Sequence, residues 1–186
     1  MIRIFVFIGL SFLLALTASG CVNKHKQRMA QLEEQTRVDA AGRRKEIMNT
    51  MREKGIPVRV LELDAGRANS AGGVDLSFQV ANATNRDFKY IELTVTPFNR
   101  VGDVISSEIN GRSTITVKGI GPMKPTVKYG SFDGHYFSFD NVWYNGTINC
   151  VKLSEVKITY MDNSEQFVTG EILSLMSPAK HGGCAL

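Results

Sequence analysis

The chain has few of the residues from which catalytic and metal sites are usually built. It contains three cysteines, three histidines and one tryptophan in 186 residues. The cysteines and histidines show no spacing typical of a zinc site. Its main apolar run, at 4–16, has only about 13 residues, whereas a membrane-spanning helix needs roughly 20. We therefore predict no metal, no cofactor and no helix that spans a bilayer.

Sequence motifs of catalysis are missing as well. His135, Asp133 or Asp140 and a serine could be combined into a Ser/His/Asp set. Serines are so frequent in the chain that this combination does not indicate a catalytic site. The run Gly119-Ile120-Gly121-Pro122 is not a phosphate loop, since proline lacks a backbone N–H and no P-loop lysine follows. The acidic residues match no EF-hand spacing. We predict that the protein is not an enzyme and has no catalytic residues.

The N-terminus has the features of a secretory signal. Arg3 is followed by the apolar run and then by Ala18-Ser19-Gly20-Cys21, an order typical of a signal peptide. A cysteine directly after small residues resembles the lipobox of bacterial lipoproteins, although Ala18 stands where Leu or Val is more usual. The resemblance implies that Cys21 is lipidated and becomes the mature N-terminus. An ordinary cleaved signal and a short uncleaved anchor are the alternatives.

The lipobox resemblance also implies a location. Val22 follows Cys21, where the inner-membrane retention signal of the lipoprotein family typically has Asp. This favours a lipid-anchored protein of the outer membrane that faces the periplasm. More than one acyl chain makes such an anchor stable, because each buried methylene contributes about 0.8 kcal/mol.

The positive charge is concentrated next to Cys21. Residues 22–55 contain nine Lys or Arg and five Asp or Glu, whereas residues 56–186 contain twelve and thirteen. The basic segment either is attracted to anionic head groups or forms a solvated linker. The remainder has no basic cluster with interleaved aromatic residues, so we predict no binding to nucleic acid.

Residues 23–54 are predicted to form a helix, because they are rich in Lys, Arg, Glu, Gln, Ala and Met. Gly55 and Pro57 end it. Its apolar stripe is too thin for a coiled coil or for a buried helix. The segment is therefore either a stalk that lifts the domain from the membrane or a helix that docks onto a partner.

From Ile56 onward the pattern changes to the alternation of β-strands. Residues 74–80 alternate apolar and polar side chains, and residues 90–96 do so after a turn cluster. Further strands are predicted through Ile105 and Ile109, at 113–117 before a break at 119–125, at 151–160 and, after a hairpin turn, at 165–168. Seven or eight short strands predict a mainly β fold, an immunoglobulin-like antiparallel β-sandwich preceded by an N-terminal helix.

Three runs resemble small extracytoplasmic β-sandwich modules of bacteria, broadly the FxLYD group. They are KYIELTVTPFNRVGD at 89–103, NVWYNGTI at 141–148 and VKITYMD at 156–162. The resemblance covers roughly residues 74–168 and implies the fold. It supplies no enzymatic residues and supports a binding or scaffolding role by association only.

Cys150 and Cys184 remain when Cys21 is assigned to the lipid. An oxidising compartment favours a disulfide between them, which would close a loop of about 35 residues and contribute roughly 3.5–4 kcal/mol. Two independent thiols, one buried and one exposed on the tail, are the alternative.

The aromatic stretch at 129–144 is the best candidate for binding. Trp143, Phe137 and Phe139 are expected in the sandwich core, whereas residues beside glycines are expected at the surface. The predicted binding residues are Tyr129, Phe132 and Tyr136.

The predicted organisation has four parts: a lipoprotein signal peptide at 1–20, a lipidated cysteine and helical stalk at 21–55, the sandwich at 56–173 and a Gly-rich tail at 174–186. The predicted function is that of a noncatalytic scaffold or accessory subunit of an envelope-spanning assembly, such as a secretion or motility machine. Its partners are the membrane and an envelope protein, and its oligomeric state stays open. The alternative is a glycan-, peptidoglycan- or small-ligand-binding module that uses an aromatic loop at 129–144.

Overall fold

The computed structural model describes residues 5–126, 134–176 and 184, with the backbone alone at 5–23, 41 and 44. The described part is mostly β. Its elements in chain order are α1 (Phe5–Glu53), β1 (Val58–Ala65), β2 (Gly73–Asn82), β3 (Phe88–Phe98), β4 (Ile115–Met123), β5 (His135–Tyr144), β6 (Cys150–Tyr160), β7 (Glu165–Thr169) and α2 (Glu171–Met176).

The chain divides into two compact units, Met1–Arg43 and Arg44–Leu186. In the first unit, the described side chains from Lys24 to Asp39 are all exposed, including Met29, Leu32 and Val38. None of the described helices offers a stretch both long and apolar enough to cross a bilayer. The exposed stripe is compatible with either predicted role, stalk or docking helix, and that choice stays open.

The end of α1 follows the prediction to within one residue. Gly55 has a positive φ of 68°, a conformation that costs glycine little. The N–H of Gly55 bonds to the carbonyl of Arg52, and the N–H of Ile56 bonds to the carbonyl of Met51. These two bonds form a Schellman motif, in which the apolar residues Met51 and Ile56 are both buried. The last turns of α1 thereby join the core of the second unit.

The second unit is an antiparallel β-sandwich of the immunoglobulin-like type, as predicted. One sheet has the order β1-β2-β5 and the other the order β4-β3-β6-β7. All strand pairs within both sheets are antiparallel. The chain crosses between the sheets from β2 to β3, from β4 to β5 and from β5 to β6. The two inner faces enclose one core.

The core is built by alternation along the strands. In β3, Ile91, Leu93 and Val95 are buried while the residues between them are partly exposed. The largest fully buried side chains come from both sheets and include Trp143, Phe78, Phe88, Leu76 and Ile91. The alternating patterns at 74–80 and 90–96 therefore predicted the inner faces of β2 and β3 correctly.

The predicted break at 119–125 is wrong, because β4 continues through Met123. The glycines that suggested a break are positions of close packing. A Cβ at Gly121 would lie 2.4 Å from the carbonyl oxygen of Phe88, and one at Gly119 would lie 2.9 Å from the ring of Phe137. Glycine within a strand often marks such a close approach of a neighbour.

The predicted strand through Ile105 and Ile109 is also wrong. Residues 99–114 form a loop, in which Val104 makes only an isolated bridge to Phe98. The side-chain carbonyl of Asn99 accepts hydrogen bonds from the N–H groups of Val101 and Asp103 and turns the chain. Ile109 is 69% exposed, so its apolar side chain does not mark a buried strand face.

The last elements complete the unit. The hairpin between β6 and β7 is present as predicted, with Asn163 at a positive φ of 64° in its turn. The predicted boundary between sandwich and tail, at 173/174, falls inside α2. Met176 in α2 is fully buried, so the packed unit extends at least to this residue.

Candidate functional site

Strand β5 has two chemically different faces, which its pairing with β2 defines. Phe137 lies opposite Phe78, and the two rings are 5.0 Å apart between centroids. Phe139 also packs on Phe78, at 5.8 Å. Tyr136, Ser138 and Asp140 alternate with these rings and are exposed. The first half of β5 is therefore apolar towards the core and polar towards solvent.

The second half of β5 is anchored by specific hydrogen bonds. Trp143 is fully buried, and its Nε1–H donates to the carbonyl oxygen of Ser113 at 3.0 Å. The carbonyl oxygen of Tyr144 accepts from the N–H of Glu108. Between the two halves, the N–H of Asn141 donates to Asp75 Oδ1 at 2.8 Å, where the register of the pairing with β2 shifts. The irregularity separates the exposed start of β5 from its fixed end.

The structure corrects the description of 129–144 as an aromatic loop, since residues 135–144 are strand β5. Tyr136 is 58% exposed, as predicted, and Trp143 is buried, as predicted. Phe137 and Phe139 are partly buried against the core. Tyr129 and Phe132 lie outside the described residues, so their predicted role in binding stays a prediction.

The outer edge of β5 is open over its first half. β5 ends the three-stranded sheet, and within the described part of the chain its residues 135–140 pair with β2 alone. No formally charged side chain and no proline occurs at 135–139, which reads His-Tyr-Phe-Ser-Phe. We call residues 135–140 the β5 edge.

The other edge strands carry the features by which proteins discourage pairing with a foreign strand. β4 has Lys118 and Pro122, and β7 has only five residues and begins with Glu165. β1 has a register shift beside Glu62 and is contacted by α2. On β5, a charged side chain and a register shift occur only from Asp140 onward, so residues 135–139 lack such protection. The sequence allows an exposed strand edge that pairs with a partner's strand, but it does not identify β5 as that strand, because no local pattern reveals which strands lie at the edges of a sheet.

A disulfide joins Cys150 at the start of β6 to Cys184, with a Cα–Cα distance of 5.1 Å, and so confirms the predicted pairing. The N–H of Cys184 also donates to the carbonyl of Val151. A cavity of about 410 Å³ lies beside the bridge and is lined in part by Arg100 and Lys152. The disulfide holds Cys184 against an inner strand of the four-stranded sheet.

The outer face of the four-stranded sheet is covered by ion pairs. Lys118 Nζ lies 3.1 Å from Glu92, and Lys157 Nζ lies 2.8 Å from Glu165. The hydrogen bond to Glu165 raises the pKa of Lys157. Such exposed pairs contribute little to stability. They nevertheless give this face a charged surface that contrasts with the β5 edge.

A second polar cluster fixes the β6–β7 hairpin. The guanidinium of Arg86 lies 3.7 Å from the ring centroid of Tyr160 and pairs with Asp162 at 2.6 Å. Hydrogen bonds from Ser164 lower the pKa of Asp162, while burial raises the pKa of Tyr160. Both shifts follow from structural contacts. Over the ranges that the structure describes, no three His, Cys, Asp or Glu side chains are grouped closely enough to hold a metal ion.

An apolar groove of about 280 Å³ lies between the last turns of α1 and helix α2. Ile47, Met51, Ile56 and Leu175 line it, and Leu175 is 59% exposed. The predicted thin stripe on α1 thus has its C-terminal part in a packed environment. The sequence pattern missed the groove, because its second wall comes from α2, which was assigned to the sandwich end and the tail.

Cys21 lies within α1, where the structure describes only the backbone. Its predicted lipidation therefore stays a prediction.

No protein-family model matches the chain, and no curated protein matches it. A crystal structure of a hypothetical protein from Peptoclostridium difficile 630 has 8% sequence identity and a TM-score of 0.37, and covers 63% of this chain and 88% of that chain. A likeness at this level supports no conclusion about function.

Proposed function

We propose that this protein is a noncatalytic scaffold or accessory subunit in the bacterial envelope, anchored to the outer membrane through a lipid on Cys21. Its sandwich faces the periplasm and binds an extended segment of another polypeptide chain at the β5 edge. An envelope-spanning assembly, such as a secretion or motility machine, is the setting in which such a subunit acts.

The observation that carries the proposal is the open β5 edge. Its backbone N–H and C=O groups on the outer side find no partner among the described residues outside β2. Water can satisfy such a row of groups, but an added strand satisfies them in register, and strand addition is a common mode of peptide recognition. Tyr136 adds an exposed aromatic ring, a side chain that is enriched among the residues that dominate binding energy.

The disulfide supports the proposed compartment. Disulfides form and persist in the periplasm and outside the cell, and are rare in the cytosol. Cys150 and Cys184 are paired in the structure, whereas a cytosolic protein would usually keep such thiols reduced. The pairing therefore agrees with export by the N-terminal signal.

Site-specific photocrosslinking in intact cells tests the binding site. A photoreactive amino acid replaces Ser138 on the β5 edge or, as the control, Thr116, which is also exposed and lies on β4. We expect a discrete protein adduct from position 138 and little from position 116, because β4 is protected. Absence of an adduct from position 138 in folded protein contradicts binding at this edge.

Lipid labelling tests the anchor separately. Wild-type protein should incorporate labelled palmitate and fractionate with the outer membrane, whereas Cys21→Ser should lose both properties. Incorporation of the label into Cys21→Ser contradicts the proposed anchor and leaves the β5 edge to be judged by crosslinking alone.

The alternative function, binding of glycan or peptidoglycan, is supported by one described ring. Tyr136 is exposed, while Phe137 and Phe139 face the core. A thermal shift with muropeptides that disappears in Tyr136→Ala, together with no protein adduct from position 138, would favour this alternative over the scaffold.

A further inference from the structure

We infer that the strand received by the β5 edge is the β5 edge of a second copy of this chain, which gives a symmetric dimer. The inference rests on the proposed function and names the partner at the same site. In the dimer, the three-stranded sheets of two copies join into one six-stranded sheet with the order β1-β2-β5-β5-β2-β1. The two copies are related by a twofold axis perpendicular to that sheet.

The first argument is self-complementarity of the side chains. Successive side chains of a strand alternate between its two faces. Two antiparallel copies therefore keep their core faces on the same side only when even-numbered residues lie opposite even-numbered ones and odd-numbered residues opposite odd-numbered ones. The register centred on Ser138 meets this condition. It places Tyr136 of one copy opposite Asp140 of the other, and this pair occurs twice by symmetry.

The chemistry of that pair is favourable. The phenol O–H of Tyr136 can donate a hydrogen bond to the carboxylate of Asp140, and bonds to charged acceptors are among the stronger ones. On the opposite face, Phe137 of one copy meets Phe139 of the other, and cross-strand aromatic pairs stabilise sheets. The alternative register centred on Phe137 places Asp140 opposite Gly134, which offers no side chain.

The second argument is the absence of electrostatic conflict. Asp140 is the one formally charged side chain at 135–140, so no like charges meet in the register centred on Ser138. Self-pairing of the β4 edge would instead bring Lys118 and Pro122 into the interface. β7 is only five residues long and begins with Glu165. Of the edges that the structure describes, β5 is thus the one suited to pair with itself.

The proposed anchor strengthens this association. Copies confined to one membrane meet at a high effective concentration, which allows a modest interface to be occupied. A Cys21→Ser form should therefore dimerise by the same contacts but to a smaller extent at equal expression.

Disulfide trapping tests the inference in the full-length protein. In the proposed register the two Ser138 residues face each other, and Cβ atoms of directly opposed residues lie about 4.5–5.5 Å apart. Oxidised envelopes containing Ser138→Cys should show a reductant-sensitive species of twice the monomer mass. The matched control is Thr116→Cys, which is also exposed and also adds one thiol to a chain that holds Cys150 and Cys184, and which should remain monomeric.

Three other results would overturn the inference. Ser138→Cys that stays monomeric excludes the register, and equal dimer from Thr116→Cys shows that collision alone explains trapping. A trapped species of another mass shows that the edge binds a different protein, which refutes the second copy and leaves the proposed scaffold function intact. If Cys21→Ser traps as efficiently as wild-type Cys21, self-association does not depend on the anchor, and the dimer is supported without it.

A charge exchange at the same position provides an independent measurement in solution. Ser138→Lys and Ser138→Asp each place like charges opposite each other and should weaken self-association about fivefold. An equimolar mixture of the two variants should associate as a heterodimer, because opposite charges then face each other. Analytical ultracentrifugation measures the association. Equal self-association of both single variants and the wild type contradicts the inference, and circular dichroism verifies that each variant is folded.

Discussion

Strands β4 and β5 are consecutive in the chain and each ends a different sheet, but their free edges differ in chemistry. Both strands also differ from what the sequence predicted. Gly119 of β4 packs against the ring of Phe137 of β5. β4 presents Lys118 and Pro122 at its edge, whereas residues 135–139 of β5 present neither formal charge nor proline. Residues 135–139 of β5 therefore lack the features by which β4 discourages pairing with a foreign strand. An edge left open in a folded protein is a candidate interface.

The fixed end of β5 should account for most of its contribution to stability. Trp143→Ala removes a fully buried side chain and should lower the free energy of unfolding by about 3–5 kcal/mol. Trp143→Phe, the control, keeps much of the apolar volume but loses the hydrogen bond to Ser113, at a cost of about 1–3 kcal/mol. Urea titration followed by circular dichroism measures both. A small effect of Trp143→Ala would mean that the anchored half of β5 is not tightly packed.

Loss of the disulfide should destabilise the domain without changing a residue of β4 or β5. The double variant Cys150→Ala/Cys184→Ala should lower the free energy of unfolding by about 3–4 kcal/mol, because the bridge joins residues 34 apart in the chain. Fluorescence of the single tryptophan follows this unfolding. Trapping through Ser138→Cys should persist in this background under conditions where the domain is folded. If trapping is lost while the fold is retained, the β5 edge depends on the bridge and the two regions are coupled.

Close packing in β4 should make its glycines less replaceable than surface glycines. Gly121→Ala places a Cβ 2.4 Å from the carbonyl oxygen of Phe88 and 2.8 Å from the backbone nitrogen of Met123, so backbone atoms must move. Overpacking of this kind costs about 1–3 kcal/mol. Gly66→Ala is the control, because its nearest contacts are ordinary at 3.7 Å. Equal stability of the two variants, measured by thermal unfolding, would show that the approach of β4 to β3 is looser than the structure indicates.

The sequence predicted a break within β4 and a loop in place of β5, and both errors have a physical explanation. β2 and β3 were predicted well because one face of each is apolar and the other polar, so the buried side can be read locally. Gly119 and Gly121 are residues typical of a turn, which is why the sequence predicted a break. In the structure they lie against Phe137 and Phe88, where a Cβ atom would clash. The exposure of Tyr136 and the pairing of Cys150 with Cys184 followed from local glycine content and from the expected compartment. The open edge of β5 could not be predicted in this way, since strand order depends on contacts between residues far apart in the chain.

The exposed start of β5 should contribute little to stability, in contrast to its fixed end. Tyr136→Ala should change the free energy of unfolding by less than about 0.5 kcal/mol, because the side chain is 58% exposed and its ring stacks on no other aromatic ring of the described residues. The same variant should weaken self-association, since the proposed pair with Asp140 is lost twice in each dimer. Tyr136→Phe removes only the hydroxyl and separates that hydrogen bond from the contribution of the ring. A large loss of stability in Tyr136→Ala, measured by urea titration, would place the ring in the core, and the outer side of β5 would then belong to the fold and not to an interface.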